Sequence, residues 1–113
     1  MQTRIPVTVD AGFHVNSNPA AADYLIPLSV TWSATGALEA GKVTYPKATK
    51  EKVGDDTLTV YTGSFDLIAA FKVSANAPGG PGVAAGKLRY QACNSTTCFP
   101  PKNVEISVPY QIQ

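Results

Sequence analysis

Residues 65–73 read Phe65-Asp66-Leu67-Ile68-Ala69-Ala70-Phe71-Lys72-Val73. Apolar residues occupy every second position of this stretch, at Phe65, Leu67, Ala69, Phe71 and Val73. Successive side chains of a β-strand point to opposite faces of the sheet, whereas a helix repeats its apolar residues every three to four positions. The alternation therefore predicts a long β-strand with one buried face.

The same alternation recurs on both sides of this stretch, and only Ala20–Tyr24 suggests a turn of helix. It is seen at Ile5, Val7 and Val9, at Phe13 and Val15, at Leu28, Val30 and Trp32, at Leu58 and Val60, at Leu88, Tyr90 and Ala92, and at Val104, Ile106 and Val108. Turn signals separate these segments, among them Val53-Gly54-Asp55-Asp56 and the run Ala77–Gly82. The pattern predicts an all-β fold, an antiparallel β-sandwich of about six to nine strands, as a single domain over residues 1–113.

Charge and composition argue against several classes of partner. Nine Lys and Arg nearly balance eight Asp and Glu, so the net charge of +1 offers no electrostatic basis for binding nucleic acid or an anionic membrane. No apolar run approaches the ~20 residues of a membrane span, so we expect no membrane insertion of this chain. No apolar core of a signal peptide follows Met1. The chain therefore either acts in the cytoplasm or is a mature fragment of an extracytoplasmic protein, and its two closely spaced cysteines favour the fragment.

Both cysteines lie in the segment Tyr90-Gln91-Ala92-Cys93-Asn94-Ser95-Thr96-Thr97-Cys98-Phe99-Pro100-Pro101. Residues that flank a four-residue loop can face each other across an antiparallel pair, at a Cα separation of about 4.5–5.5 Å that suits a disulfide. So short a ring stabilises the fold by only about 2 kcal/mol in the chain-entropy model. The pair is either an exchangeable redox pair or a structural bridge. Two cysteines and one histidine leave a zinc site incomplete, so no metal is expected.

Several segments, in the same order, resemble the N-terminal domain family of the thiol:disulfide interchange protein DsbD. The resemblance rests on Phe13-His14-Val15-Asn16-Ser17-Asn18-Pro19 with Tyr24-Leu25-Ile26-Pro27, on Val43-Thr44-Tyr45-Pro46-Lys47, on Val60-Tyr61-Thr62-Gly63, and above all on Arg89-Tyr90-Gln91-Ala92-Cys93 through Cys98-Phe99-Pro100-Pro101. It implies an immunoglobulin-like sandwich, although the antibody-type Cys…Trp…Cys pattern is absent because both cysteines share one hairpin.

The resemblance also implies a function. The family domain relays reducing equivalents in the bacterial periplasm to thioredoxin-fold oxidoreductases, as a protein-disulfide reductase without a cofactor and as a monomer. Carried over to this chain, Cys98 forms the mixed disulfide with a partner and Cys93 resolves it. The family shields the pair with a cap loop. The corresponding segment here is Gly54-Asp55-Asp56-Thr57-Leu58, which lacks the expected aromatic residue.

Further candidate residues surround these cysteines, each with a structural alternative. Asp55 and Asp56 could accept protons from the cap, with Leu58 as a cap contact, or simply form a turn. Phe99 and Pro100 could form an apolar docking surface, or serve as core residue and strand terminator. Tyr90 leads Tyr45 and Tyr61 as a candidate for lining the site, although its odd offset from Cys93 places it on the opposite face. His14, the only histidine, could act as a base, but its strand-like neighbours favour a structural role.

A different class of function remains open on the residues alone. A sandwich with a structural hairpin disulfide can be a redox-inert binding module, with Tyr45 and Tyr61 among the aromatic residues available to hold a ligand. A bridge that mild reductant cannot open would indicate such a module. A third option is an adaptor that pairs through an exposed strand edge.

Overall fold

The structure, a computed structural model, describes residues 1–113 and contains ten strands and no helix. The strands are β1 (Gln2–Thr8), β2 (His14–Asn16), β3 (Ser29–Ala34), β4 (Leu38–Thr44), β5 (Thr49–Val53), β6 (Asp56–Tyr61), β7 (Ser64–Val73), β8 (Gly80–Tyr90), β9 (Ala92–Cys93) and β10 (Lys102–Ile112). They form three antiparallel sheets with the orders β1-β7-β4, β10-β8-β3 and β5-β6-β2-β9. The all-β, antiparallel prediction is confirmed.

Strand β7 is the centre of the first sheet and follows the predicted alternation. Leu67 and Ala69 are 0% exposed and Phe71 is 5% exposed, while Val73 at the strand end is 40% exposed. β7 pairs with β1 from Thr8↔Ser64 to Gln2↔Ala70, and with β4 on its other side. Its inward face therefore supplies the middle of the hydrophobic core.

The second sheet closes the core from the opposite side through β8. Ala84 and Leu88 join the same buried cluster as Leu67. The Trp32 ring, partly buried, meets Phe71 of β7 at a centroid distance of 4.9 Å. Gly86 makes room for that ring, because a Cβ there would lie 2.6 Å from the Thr31 carbonyl oxygen and 2.8 Å from Trp32. The two sheets thus pack as a sandwich.

The third sheet carries the cysteines and is covered on both faces where β2 and β6 pair. Val15 and Tyr61 belong to the hydrophobic core. Their neighbours His14 and Asn16 point to the other face, as alternation requires, yet are only 1% and 0% exposed. On this face of the third sheet, polar side chains are therefore buried as well.

Two local predictions are wrong. Ala20–Tyr24 forms no helix; a bond from the Leu25 N–H to the Ala22 carbonyl closes a single turn there. The run Ala77–Gly82 is a turn only at its start, because β8 already begins at Gly80 and pairs with the end of β10. No helix is present that is long and apolar enough to cross a membrane.

Candidate active site at the disulfide hairpin

Cys93 and Cys98 form a disulfide at the end of β9, with a Cα–Cα distance of 4.0 Å and an antiparallel bridge between the two residues. Asn94 shapes the four-residue loop between them. Its Oδ1 accepts hydrogen bonds from the N–H groups of Thr96 (2.9 Å) and Thr97 (2.7 Å), and its own N–H donates to the Thr97 carbonyl at 2.8 Å. Such a side-chain-closed turn holds the loop without help from the sulfur atoms.

The two cysteines differ sharply in exposure. Cys93 is 1% exposed because β9 pairs with β2. Cys98 lies outside the sheet and is exposed. Thiol–disulfide exchange needs a thiolate to reach one sulfur while the other leaves, and access decides which sulfur is attacked. Of the two cysteine residues, Cys98 is therefore the one that lies open to an incoming group, and Cys93 is covered.

An apolar groove of about 300 Å³ adjoins the exposed cysteine; it is lined by Phe13, Tyr90, Ala92, Phe99, Pro100 and Lys102. Phe99 is 41% exposed, and its ring centroid lies 5.9 Å from that of Phe13. Three sequence-predicted residues, Tyr90, Phe99 and Pro100, are therefore brought together. The alternative of Phe99 as a core residue is wrong, because its side chain lies at the surface.

The expected cap segment is the tip of the β5–β6 hairpin rather than a free loop. Gly54, with φ of 62°, and Asp55 form the turn, and Asp56 pairs with Val53 as the first residue of β6. Both aspartates are exposed, and Leu58 is partly buried. Within the sheet, β2 lies between β6 and β9. The turn prediction for Asp55 is confirmed, while a shielding role for Asp55, Asp56 and Leu58 stays a prediction.

Beside the buried cysteine lies a cluster of polar side chains that sequence reasoning missed as a group. His14 is the cross-strand partner of Cys93, and Asn16 and Ser17 follow it with 0% and 2% exposure. Asn16 Nδ2 donates to the Ile26 carbonyl at 3.2 Å, and Ser17 Oγ donates to Thr59 Oγ1 at 2.7 Å. The available signal was the alternation of His14 and Asn16 beside Phe13 and Val15, which places two polar side chains on one face of a buried strand.

Two of the three candidate tyrosines anchor backbone instead of lining the cysteine site. The Tyr45 hydroxyl accepts a hydrogen bond from the Val30 N–H at 3.2 Å, and the Tyr61 hydroxyl accepts one from the Asn18 N–H at 3.1 Å. Burial raises the pKa of the Tyr45 hydroxyl above its ordinary value of 10.0, and the bond from Val30 offsets part of that effect. Nowhere do three or more His, Cys, Asp or Glu side chains gather as they would to hold a metal ion.

Comparisons with known proteins identify a family and a fold for this chain. The family model described as "Thiol:disulfide interchange protein DsbD, N-terminal" matches residues 2–109. The crystal structure of the Neisseria meningitidis DsbD N-terminal domain in the reduced form is similar, with a TM-score of 0.59 at 19% identity, covering 97% of this chain and 81% of that one. At this identity the likeness shows the fold, and it confirms the immunoglobulin-like prediction. A comparison with curated proteins found no match.

Proposed function

This chain belongs to the DsbD N-terminal domain family, and on that premise we propose that its Cys93–Cys98 pair performs thiol–disulfide exchange with other proteins. The observation that carries the proposal is the unequal exposure of the two cysteine residues, 1% for Cys93 against an exposed Cys98. A purely structural bridge needs no such asymmetry. An exchange site needs one sulfur that a partner reaches and one that it does not.

The reaction runs in two displacements. In the reduced domain, the Cys98 thiolate attacks a partner's disulfide, forms a mixed disulfide and expels one partner sulfur as a thiolate. The Cys93 thiol then loses its proton and attacks the Cys98 sulfur, which closes the intramolecular disulfide and expels the second partner sulfur. Two electrons pass from the domain to the partner, and the two protons of the dithiol end on the partner's thiols.

The surroundings of Cys98 suit a protein partner. Phe99 and Pro100 stand next to it in the chain, and the 300 Å³ groove continues to Tyr90 and Phe13. An exposed apolar patch beside a reactive sulfur offers a docking surface for the apolar rim of another redox protein. In keeping with the family, the partners we propose are thioredoxin-fold oxidoreductases of the bacterial periplasm. Residues 1–113 act as one monomeric protein-disulfide reductase domain, without a cofactor.

A trapping experiment tests this proposal. Cys93→Ala leaves Cys98 as the only thiol, and we expect it to form a stable mixed disulfide with a purified thioredoxin whose resolving cysteine is replaced by serine and whose remaining thiol is activated. Cys98→Ala is the matched control, and it should trap little, because Cys93 is buried. Equal failure of both variants would contradict the proposal and favour the redox-inert binding module.

A further inference from the structure

The only histidine of the chain lies next to the buried cysteine. His14 and Cys93 are directly paired residues of β2 and β9. Side chains of directly opposed residues share one face of an antiparallel pair, with Cβ atoms about 4.5–5.5 Å apart. The two residues are far apart in the sequence, and only the pairing of β2 with β9 brings them together.

The His14 ring is buried and incompletely satisfied. The residue is 1% exposed, and its Nε2 has no hydrogen-bond partner. Leaving a polar atom buried without a partner is costly, and few such atoms occur in a native fold. This ring nitrogen, on the residue paired with Cys93, can therefore accept a proton or a hydrogen bond from a group that appears only when the bridge opens, and the Cys93 thiol is such a group.

Glu51 contacts Nδ1, the other ring nitrogen of His14. Its Oε2 lies 3.5 Å from His14 Nδ1, and its side chain is 40% exposed. A carboxylate beside Nδ1 favours the tautomer with the proton on that nitrogen, which leaves the lone pair on Nε2. The titratable residues placed beside His14 are Glu51 of β5, by its contact with Nδ1, and Cys93 of β9, by strand pairing. On the same face of β6, Val60 and Leu58 are apolar, and Asp56 stands at the hairpin tip.

We propose that His14 Nε2 is the proton acceptor for the Cys93 thiol in the resolving step, with Glu51 as the residue that positions the ring. This inference rests on the exchange function proposed above. The Cys93 proton moves to Nε2, the resulting thiolate attacks Cys98 Sγ, and the partner sulfur leaves. In the reverse direction, the protonated ring returns the proton to Cys93 as its sulfur leaves. A histidine suits this task, because its charge normally changes between about pH 5 and 8.

The test separates the two displacements by using glutathione disulfide as the probe. The reduced domain is mixed with it, quenched with acid at intervals, and analysed by mass for the Cys98–glutathione adduct and for the closed disulfide. In the wild-type domain the resolution rate should rise with pH and should already be appreciable at about pH 6.5, where a free thiol is still protonated. In His14→Gln, adduct formation should be unchanged, resolution at about pH 6.5 should slow by about tenfold or more, and the rise should move to the alkaline range of a free thiol.

Glu51→Gln provides a second variant in case His14→Gln does not fold. Because the ring loses the carboxylate that holds its orientation, the resolution rate at about pH 6.5 should fall by about threefold while adduct formation stays unchanged. Glu39→Gln is the matched control: Glu39 is an exposed carboxylate on β4 of another sheet, and its loss should change neither step.

The outcomes are distinguishable. A folded His14→Gln domain whose resolving step keeps the wild-type rate and pH profile overturns the inference and leaves the exchange function standing, as does a Glu51→Gln profile equal to that of Glu39→Gln when His14→Gln does not fold. A wild-type domain that neither forms the glutathione adduct nor closes its disulfide overturns the exchange function, and the role of His14 falls with it.

Discussion

Two regions of this molecule are almost fully excluded from water, yet they are built from different chemistry. The sandwich core around Leu67, Ala69 and Phe71 is predominantly apolar and is stabilised by the apolar area removed from water. The buried corner around Cys93 contains His14, Asn16 and Ser17 at 0–2% exposure. Burying such polar groups is costly unless hydrogen bonds within the protein replace their hydrogen bonds to water. His14 Nε2 and Asn16 Oδ1 have no such hydrogen bond. We therefore expect the first region to contribute more to stability, and the second to serve the disulfide exchange proposed above.

The largest effect on stability should come from the apolar core. Leu67→Ala removes a side chain that is 0% exposed, so the free energy of unfolding should fall by about 2–5 kcal/mol through lost burial and the cavity left behind. Chemical denaturation measures this loss. Leu67 lies on β7, in a different sheet from the cysteine hairpin. The rate of disulfide exchange in the folded fraction should therefore not change. Val83→Ala, at a position 54% exposed, is the control and should cost far less.

A smaller loss is expected in the polar corner. Asn16→Ala deletes the amide that donates to the Ile26 carbonyl, and the free energy of unfolding should fall by about 1–3 kcal/mol because a buried acceptor loses its partner. Unlike Leu67→Ala, this variant should also change the rate of disulfide closure, since Asn16 shares one face of β2 with His14, the partner of Cys93. Denaturation and glutathione exchange should be measured on the same samples. A loss of stability with an unchanged closure rate would remove the distinction between the two regions.

A half-buried tyrosine, Tyr45, at the margin of the core gives a pH-dependent effect. Burial raises the pKa of Tyr45 above 10.0 in the folded protein, so the unfolded chain loses this proton first as the pH rises. The stabilisation by neutral Tyr45 is therefore complete below about pH 10 and is lost as the pH rises through the folded value. Tyr45→Phe should cost about 1 kcal/mol at neutral pH, because the Val30 N–H loses its acceptor, and the difference should shrink above about pH 10.

Thermal unfolding across this alkaline range measures the effect on Tyr45. Tyr24→Phe, at a side chain 76% exposed, is the control and should leave the pH dependence of the wild type unchanged. If the difference in stability between the wild type and Tyr45→Phe stayed constant with pH, this would contradict a raised pKa of the Tyr45 hydroxyl in the folded protein.

The smallest change concerns the hairpin loop. Asn94→Ala removes the acceptor of two backbone N–H groups and should weaken ring closure by about 1 kcal/mol, so the disulfide should become easier to reduce by roughly 20 mV. Glutathione redox titration measures the shift. Ser95→Ala in the same exposed loop is the control. An unchanged potential in Asn94→Ala would show that the disulfide itself shapes the loop.

How much the sequence reveals differs between the two regions. The alternation of Leu67, Ala69 and Phe71 is a local pattern, so the core strand could be read directly. Strands β4 and β5 escaped prediction because most of their residues are exposed and neither has a regular alternation of apolar residues. Their structure comes from pairing with β7 and β6. The extension of β8 to Gly80 likewise depends on β10. Neighbouring strands supply the hydrogen bonds there, overriding local turn propensity.

The site shows the same division. The spacing of Cys93 and Cys98 is local, and it was sufficient to predict the hairpin bridge. The burial of His14 and its approach to Glu51 depend on β2 lying between β9 and β6, which no local pattern reports. The resemblance to a family identified the cysteines but not this cluster, and only the assembled sheet brings its members together.

The central claim is that Cys93 and Cys98 form an exchangeable pair. The most direct test is the reduction potential of the wild-type disulfide, measured by thiol alkylation and mass across glutathione and dithiothreitol redox series. We expect a value between about −180 and −270 mV, the range of protein disulfide carriers. A value below about −300 mV would indicate a disulfide that resists reduction by the glutathione pool. That result would contradict the exchange function and favour a redox-inert β-sandwich with a structural disulfide.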